Sequence, residues 1–165
     1  MKLRTLEKKD AELMLEWMHD PDVVYWLSAN FASKTIEDCY AFIKDSANSG
    51  CDLHLAIVDD DDNYMGTVSL RNMDMDDRAA EFAVTVRKTA MGKGYSKFGM
   101  KEILRRGFEE EGLNAIYWCV SEKNERAVRF YDKNGYTRVC DVPQRFYTRY
   151  DEVTKKDLIW YMAKK

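Results

Sequence analysis

The chain has 165 residues, of which 45% are hydrophobic and 33% are charged, and its formal net charge is −3. This length suits one domain with a real hydrophobic core, so we expect a single domain over residues 1–165. No apolar run approaches the ~20 residues of a membrane-spanning helix, and no signal-peptide pattern follows Met1, so we expect a cytoplasmic protein with no membrane partner. The acidic total and the lack of a basic-aromatic repeat argue against nucleic acid as a partner.

Charge is distributed unevenly along the chain. Residues 1–80 hold 8 basic and 17 acidic residues, whereas residues 81–165 hold 18 basic and 12 acidic residues. The second half therefore suits an anionic partner, and the first half suits a cationic one. Two oppositely charged faces that dock against each other would give the same distribution.

Two features of the sequence resemble metal sites, and neither has the ligands that such a site needs. The turn at residues 59–63 has the alternating oxygen ligands of a calcium loop, but Tyr64 stands where glycine is required and Leu70 where the bidentate glutamate belongs. We therefore expect a solvated hairpin turn. The cysteines lie 12, 68 and 21 residues apart and form no C-x-x-C pair, so we expect reduced core thiols and no metal. They are Cys39, Cys51, Cys119 and Cys140.

Short strands and helices alternate in the first part of the chain. Asp10 is a suitable N-cap for the first helix, and Pro21 suits the first turn of a short second helix that carries Val24 and Trp26. A polar connection is expected at residues 73–77. The other predicted elements are a strand at 2–6, helices at 10–18 and 35–47, and strands at 52–59 and 64–70.

The second part begins with a strand at residues 81–86, in which alternate residues project to opposite faces. A helix follows from Tyr95, and Gly112 is its natural C-terminal stop. Asn124 can cap a further helix that ends by Gly135. Three more strands are predicted at 115–120, 136–142 and 157–162.

Residues 81–96, EFAVTVRKTAMGKGYS, join a strand to a helix through a glycine loop. Gly92 and Gly94 let the backbone approach a ligand, and a helix N-terminus adds unpaired N–H donors. Seven Lys or Arg residues and one acid, Glu102, lie between Arg87 and Arg106. We interpret the loop as a diphosphate cradle, although a tight turn before a solvated basic helix would give the same pattern. The fingerprints for NAD and ATP do not fit.

Three stretches together resemble the GCN5-related N-acetyltransferase (GNAT) family: the loop at 86–96 with its helix, the strand into Ser121, and NERAVRFYDKNGY at 124–136. The resemblance implies an α/β (α+β) fold with a mixed, mostly antiparallel central sheet of six to seven strands flanked by helices. The N-terminal pattern resembles the branch with ribosomal-protein N-terminal and sugar-amine acetyltransferases; it consists of Arg4, Asp10, Glu16-Trp17 and Asp20-Pro21.

The resemblance implies acetyl-CoA as cosubstrate, with its diphosphate on backbone N–H groups of the loop and its pantetheine arm along the strand. Thr89 replaces the usual Gln or Arg and Met91 a common arginine, so we expect weaker affinity rather than none, because the donors are backbone groups. Lys93 or Lys97 would lie near phosphate. The implied cofactor-binding residues are Val84, Val86, Met91, Gly92, Lys93, Gly94, Tyr95, Ser96, Lys97 and Asn124.

The family's chemistry is direct acetyl transfer to a primary amine. The resemblance assigns Tyr131 to the departing thiolate, and we expect transfer from a phenol of pKa ~10 to a thiolate of conjugate-acid pKa ~8.5 to be favourable. Glu81 is the candidate general base, and an N–H near Val84 would stabilise the oxyanion. Helix packing for Tyr131, an N-cap without ligand for Asn124 and a surface position beside Arg78 for Glu81 are the structural alternatives.

The acceptor amine is open at this point. A peptide or protein N-terminal α-amine and a small-molecule amine are the leading classes, and an amino group on a nucleotide-linked sugar is the alternative. A non-catalytic module that senses acyl-CoA is a hypothesis of another kind. We expect a monomer or homodimer. Four aromatic residues could stack on a base or sugar, and they are Trp26, Phe31, Phe146 and Tyr147.

Overall fold

Seven strands form the sheet of the computed structural model, which describes residues 1–27 and 29–165. They are β1 (Lys2–Thr5), β2 (Leu53–Val58), β3 (Tyr64–Asp74), β4 (Ala79–Val86), β5 (Ala115–Ser121), β6 (Thr137–Val139) and β7 (Leu158–Lys164). Their order across the sheet is β1-β2-β3-β4-β5-β7-β6. The pairs β1–β2, β2–β3, β5–β7 and β6–β7 are antiparallel, and β4–β5 is parallel. The expected mixed, mostly antiparallel sheet is confirmed.

The helices come in the predicted order, with two additions near the end of the chain. They are α1 (Ala11–Met18), α2 (Pro21–Val24), α3 (Ile36–Ser46), α4 (Tyr95–Glu109), α5 (Glu125–Lys133), α6 (Gln144–Tyr147) and α7 (Glu152–Lys156), with single 3-10 turns at Lys8–Asp10 and Lys88–Ala90. The sequence analysis missed α6 and α7. Both are too short for helical periodicity to appear in the sequence.

Several predicted boundaries are wrong, for local reasons. Asp10 does not cap α1 with its side chain; it closes the preceding 3-10 turn, where its carboxylate accepts the Glu7 backbone N–H at 2.8 Å. Strand β3 continues to Asp74, because polar residues remain in a strand where a sheet neighbour binds their backbone. Trp26 lies beyond the end of α2 at Val24.

The chain forms two compact units, and strands β3 and β4 each contribute residues to both. The first unit comprises Met1–Leu70 and Ala83–Ile103, and the second comprises Arg71–Phe82 and Leu104–Lys165. The expectation of a single domain over the whole chain stays a prediction.

The first unit has a core of apolar residues from α1, α3 and the strands beside them. Its centre is a buried hydrogen-bond chain, in which Trp17 Nε1 donates to Tyr64 Oη at 3.0 Å and Tyr64 Oη bonds Thr67 Oγ1 at 2.7 Å. Because these buried polar atoms have partners, their hydrogen bonds offset the cost of removing them from water. The buried apolar members include Met14, Trp17, Val23, Cys39, Ile43 and Val58.

The second unit has an aromatic core centred on Trp118. Its ring lies 5.7 Å from Phe82, 5.0 Å from Tyr136 and 6.0 Å from Tyr161, measured between ring centroids. Phe146 is fully buried against Trp160 and Val142, so its proposed stacking on a ligand is wrong. Edge-to-face and offset pairs of this kind add stability beyond the area that they bury.

All four cysteines are free thiols. Two of them, Cys51 and Cys140, are exposed, which corrects the expectation that all are core residues. Within residues 1–27 and 29–165, no helix is long and apolar enough to cross a membrane. The same residues include no group of three or more His, Cys, Asp or Glu side chains that could hold a metal ion.

Candidate active site

The glycine loop in the first unit has the backbone shape that the sequence predicts for a cradle. After the turn at Lys88–Ala90, Gly92 and Gly94 have φ values of 77° and 90°, and α4 begins at Tyr95. A Cβ at Gly94 would meet nothing within 4 Å, so glycine is needed there for its positive φ and not for space. A turn in which left-handed residues alternate with ordinary ones directs successive backbone N–H groups to one side of the chain.

The free N–H donors of the loop are fewer than predicted. Met91 N donates to Lys88 O at 3.1 Å and Lys93 N to Ala90 O at 3.3 Å, so both already have acceptors. Among the described residues, no acceptor takes the backbone N–H groups of the remaining predicted donors, which are Gly92, Gly94, Tyr95 and Ser96. These four groups at the start of α4 fit a bound diphosphate.

Met91 has a structural role in place of the arginine that is common at its position. Its side chain is half-buried and packs against the core of the first unit. The loop is therefore anchored by an apolar contact, and the charge near it comes from lysines. Lys93 and Lys97 are exposed and make no salt bridge within the described part of the chain, so both are available to phosphate.

The two basic residues just before the loop are already neutralised. Arg87 forms a bidentate pair with Glu16, with N···O distances of 3.0 and 2.8 Å. Lys88 Nζ lies 2.6 Å from Asp22 and 3.9 Å from Asp20. These pairs connect the loop to α1 and α2, so Arg87 and Lys88 have a structural role and are not free to bind phosphate.

Close packing of β3 against β4 fixes the strand that leads into the loop. A Cβ on Gly66 would lie 2.4 Å from Thr85 O and 2.8 Å from Val86 Cα, so only glycine fits there. Arg87 N donates to Met65 O at 2.9 Å just beyond. Val84 is half-buried and Val86 buried, and their pairing with a pantetheine arm stays a prediction. The sequence analysis gave Gly66 no role.

Glu81 lies in the second unit and is buried, with 1% of its surface exposed. The alternative of a surface glutamate is therefore wrong. Its position is fixed by the last rung of the parallel β4–β5 ladder, Glu81↔Tyr117. Arg149 Nη2 donates to Glu81 Oε1, and Arg71 Nη2 lies 3.5 Å from Oε2. Within the described residues Oε2 has no hydrogen-bond partner.

Burial dominates the electrostatics of this carboxylate. Desolvation raises the pKa of Glu81, and the charges of Arg71 and Arg149 oppose that rise. A base with a pKa above the ordinary carboxylate value is a stronger proton acceptor. Glu81 therefore has the burial, the spare lone pair and the shifted pKa of a candidate general base.

A polar chain continues from Glu81 through residues that sequence reasoning missed. Arg149 Nη2 also donates to Tyr150 Oη at 2.5 Å, and Tyr150 Oη lies 3.1 Å from Cys119 Sγ. Burial raises the pKa of the Cys119 thiol, so this cysteine stays protonated at neutral pH and is a poor nucleophile. No local signal marks Arg149 as a partner of Glu81, because 68 residues separate them.

Tyr131, on α5 of the second unit, packs its ring 5.5 Å from Trp118 and 5.0 Å from Tyr161. Its hydroxyl makes no hydrogen bond within the described residues, so it can donate one to a ligand. Burial raises its pKa further above the ordinary ~10. The expectation of favourable proton transfer is therefore wrong, because a proton moves spontaneously to the group with the higher pKa. The hydroxyl is suited to a hydrogen bond to the departing sulfur.

Asn124 caps α5, with its Oδ1 accepting the Ala127 N–H at 3.2 Å. The predicted capping role is confirmed, and cofactor contact by the same residue stays a prediction. The amide oxygen is used by the cap, and the NH₂ group can donate a hydrogen bond to a ligand.

Comparison with known proteins gives a match over most of the chain. A model of the family described as "Acetyltransferase (GNAT) domain" matches residues 1–137. The spermidine N(1)-acetyltransferase of Vibrio cholerae is 25% identical, with 93% of this chain and 89% of that protein covered. The putative ribosomal N-acetyltransferase YdaF of Bacillus subtilis is 29% identical, with 81% of this chain and 76% of that protein covered.

Solved structures show the same fold. The crystal structure of spermidine N-acetyltransferase from Vibrio cholerae in complex with CoA and spermine has a TM-score of 0.82 and 18% identity, covering 99% of this chain and 94% of that chain. A dodecameric structure of that enzyme in an intermediate state has a TM-score of 0.75. At this identity the likeness concerns the fold alone.

Proposed function

Because this chain belongs to the GNAT acetyltransferase family and is an acetyl-CoA-dependent N-acetyltransferase, we propose that it acetylates the primary amine of a small molecule by direct transfer. No acyl-enzyme forms in this proposal. The observation that supports this role is the buried carboxylate of Glu81, whose Oε2 accepts no hydrogen bond from the described residues. A buried oxygen of this kind costs free energy, which a catalytic use explains.

Acetyl-CoA supplies the activated acyl group as a thioester. An alkylamine of pKa ~10 is mostly ammonium at neutral pH, so it must lose a proton before its nitrogen can attack. Glu81 Oε2 would accept that proton, directly or through one water. Tyr131 Oη would donate a hydrogen bond to the sulfur as the carbon–sulfur bond breaks. After the attack the nitrogen loses its second proton, which protonates the departing thiolate. The products are the N-acetylated amine, the free thiol of CoA and the proton that Glu81 releases to solvent.

The relatives support a small-molecule acceptor. Spermidine N(1)-acetyltransferases of Vibrio cholerae and Escherichia coli match 93% and 89% of this chain. A polypeptide N-terminal α-amine is the second candidate, and its support is the 29% identity to a putative ribosomal N-acetyltransferase. The nucleotide-linked amino sugar is a third acceptor class for the test.

Thiol release from acetyl-CoA tests the proposal with a panel of polyamines, amino acids, N-terminal peptides and nucleotide-linked amino sugars. We expect release with small amines, and a large fall in kcat for Tyr131→Phe with acetyl-CoA binding retained. Tyr136→Phe is the matched control, since it changes a neighbouring tyrosine with no assigned role. Release with peptides alone would establish the second candidate. Binding of acetyl-CoA without release for any amine would overturn the proposal and favour a sensor.

The assembly state and the cytoplasmic location remain predictions. A solved neighbour is described as dodecameric, so the expected monomer or homodimer needs its own measurement. Sedimentation equilibrium at several protein concentrations distinguishes the monomer, the dimer and larger assemblies.

A further inference from the structure

Two arginines face the one buried carboxylate of the second unit. Arg149 binds Glu81 Oε1, and Arg71 lies 3.5 Å from Oε2. The side chains of Arg149 and Arg71 are 34% and 33% exposed, so each can reach a small ligand. Within the described residues, Glu81 is the only acid that forms a salt bridge with either of them. The cluster therefore carries a net charge of +1.

Neighbouring charges do not correct this excess. Asp77, an acid of the same unit, is bound by both terminal nitrogens of Arg145. That pair is neutral by itself. The uncharged members of the cluster, Tyr150 and Cys119, both have raised pKa values and add no negative charge near neutral pH.

The arginines also keep unused donors. Both side-chain hydrogen bonds of Arg149, to Glu81 and Tyr150, use Nη2, so in the described part of the chain its Nε and Nη1 groups have no acceptor. Its guanidinium is held in place by the Tyr150 ring, 4.7 Å from the ring centroid. Arg71 Nε is buried and has no hydrogen-bond partner among the described residues. Fixed guanidinium groups with free N–H donors match the geometry of carboxylate and phosphate.

A purely cationic acceptor fits this cluster poorly. An ammonium group brought to Glu81 meets two positive charges and one negative charge, in surroundings where charges are weakly screened. An acceptor that also carries an oxyanion would cancel the excess and satisfy the free donors of Arg149. Its ammonium would then face Glu81, and its anion would face the arginines.

We propose that the acceptor is a primary amine with a carboxylate or phosphate close to the amino group, and that Arg149, supported by Arg71, selects it through that oxyanion. This inference rests on the proposed function. It differs from the substrates named for the polyamine relatives. Arg149 is a specificity residue in this proposal, and Glu81 keeps the role of base.

Matched acceptor pairs test the proposal. Alanine against alaninamide removes a carboxylate, O-phosphoethanolamine against ethanolamine removes a phosphate, and spermidine supplies a cation with no anion. Removing the anion also changes the pKa of the amine, so the informative quantity is the kcat/KM ratio within a pair, compared between wild type and Arg149→Gln. Arg129→Gln is the matched control, because Arg129 is an exposed surface residue paired with Glu125.

We expect wild type to prefer the anionic member of at least one pair, and Arg149→Gln to lower that preference by about 10- to 100-fold, the value of one charge-assisted hydrogen bond. Arg149→Lys should restore only part of this preference, since lysine keeps the positive charge but lacks the planar guanidinium group that binds an oxyanion through two N–H donors. Circular dichroism and acetyl-CoA calorimetry establish that each variant is folded.

Three results would overturn the inference and leave the proposed function standing. They are an unchanged ratio in Arg149→Gln, faster turnover of spermidine than of every anionic amine, and a loss confined to acetyl-CoA affinity. The last would assign Arg149 to the donor. If no amine is acetylated although acetyl-CoA binds, the proposed function fails, and the inference fails with it.

Discussion

Each unit buries one carboxylate beside arginine, and the two sites are built differently. Asp10 in the first unit and Glu81 in the second are each 1% exposed. Arg4 binds both oxygens of Asp10, at 2.7 and 2.8 Å, and the Glu7 backbone N–H adds a third hydrogen bond. Glu81 has a hydrogen bond on one oxygen, while its Oε2 has none within the described residues.

This difference separates a structural carboxylate from a candidate catalytic one. A buried charge is tolerated when hydrogen bonds replace its lost hydration, and Asp10 meets that condition. Glu81 does not, so burial raises its pKa despite two nearby arginines. The Oε2 atom of Glu81 can still accept a hydrogen bond from a substrate, whereas both oxygens of Asp10 already accept hydrogen bonds within the protein.

The largest expected effect is on turnover. Glu81→Gln keeps the size of the side chain and removes its basicity, so we expect kcat to fall by about 10²- to 10⁴-fold, the range of a general base. Acetyl-CoA affinity should not change, because the predicted cradle lies in other residues. Thiol release and calorimetry measure the two quantities. A kcat close to that of wild type would show that Glu81, like Asp10, has a structural role and is not the general base.

The pH dependence sharpens this prediction. Glu81 must be deprotonated to act, so we expect kcat/KM to rise with pH as Glu81 ionises, above the ordinary glutamate pKa of ~4.3. This rise should be absent from the pH profile of Glu81→Gln. A raised pKa means that the folded protein binds this proton more tightly than the unfolded chain. The contribution of Glu81 to the unfolding free energy therefore falls as pH rises through that window. In urea unfolding, the free energy of unfolding of Glu81→Gln should therefore increase relative to that of wild type between low and neutral pH.

The second effect is on stability. Asp10→Asn breaks the bidentate pair and leaves Arg4 without its main counter-ion, so we expect the unfolding free energy to fall by about 3–5 kcal/mol. Turnover per folded molecule should be close to that of wild type. Urea denaturation measures the loss. Asp62→Asn is the control, because Asp62 also binds Arg4, at 3.0 Å, but is accessible to solvent. We expect this substitution to lower the unfolding free energy much less.

An equal loss for Asp10→Asn and Asp62→Asn would contradict the distinction between a buried, satisfied carboxylate and a surface one. A large fall in kcat for Asp10→Asn in the folded protein would contradict its structural assignment.

The smallest effect concerns the cradle. Gly94→Ala imposes a side chain on a residue with φ of 90°, so we expect a cost of about 1–2 kcal/mol and weaker acetyl-CoA binding as the loop relaxes. Gly50→Ala is the control, because Gly50 also has open space but no positive φ. Calorimetry with acetyl-CoA compares the two variants. Equal affinity in both would show that the loop shape does not determine binding.

Local patterns in the sequence were enough to predict the family, the mixed sheet and the shape of the glycine loop. Alternation in residues 81–86, the Gly92 and Gly94 spacing and the helix from Tyr95 are local signals, because neighbouring residues decide strand, turn and helix N-terminus. The Asn124 cap was local in the same way. All of these agree with the observed elements, apart from shifts of a few residues at their ends.

The surroundings of Glu81 depend on contacts between residues that are far apart in the sequence. Burial of that carboxylate, its contact with Arg149 across 68 residues and the excess positive charge have no counterpart in a local pattern. The same holds for Gly66, whose missing side chain is required by the β4 backbone. Contacts between distant residues depend on how strands and loops pack, and hydrophobic periodicity encodes the face that is buried but not the partner that it meets.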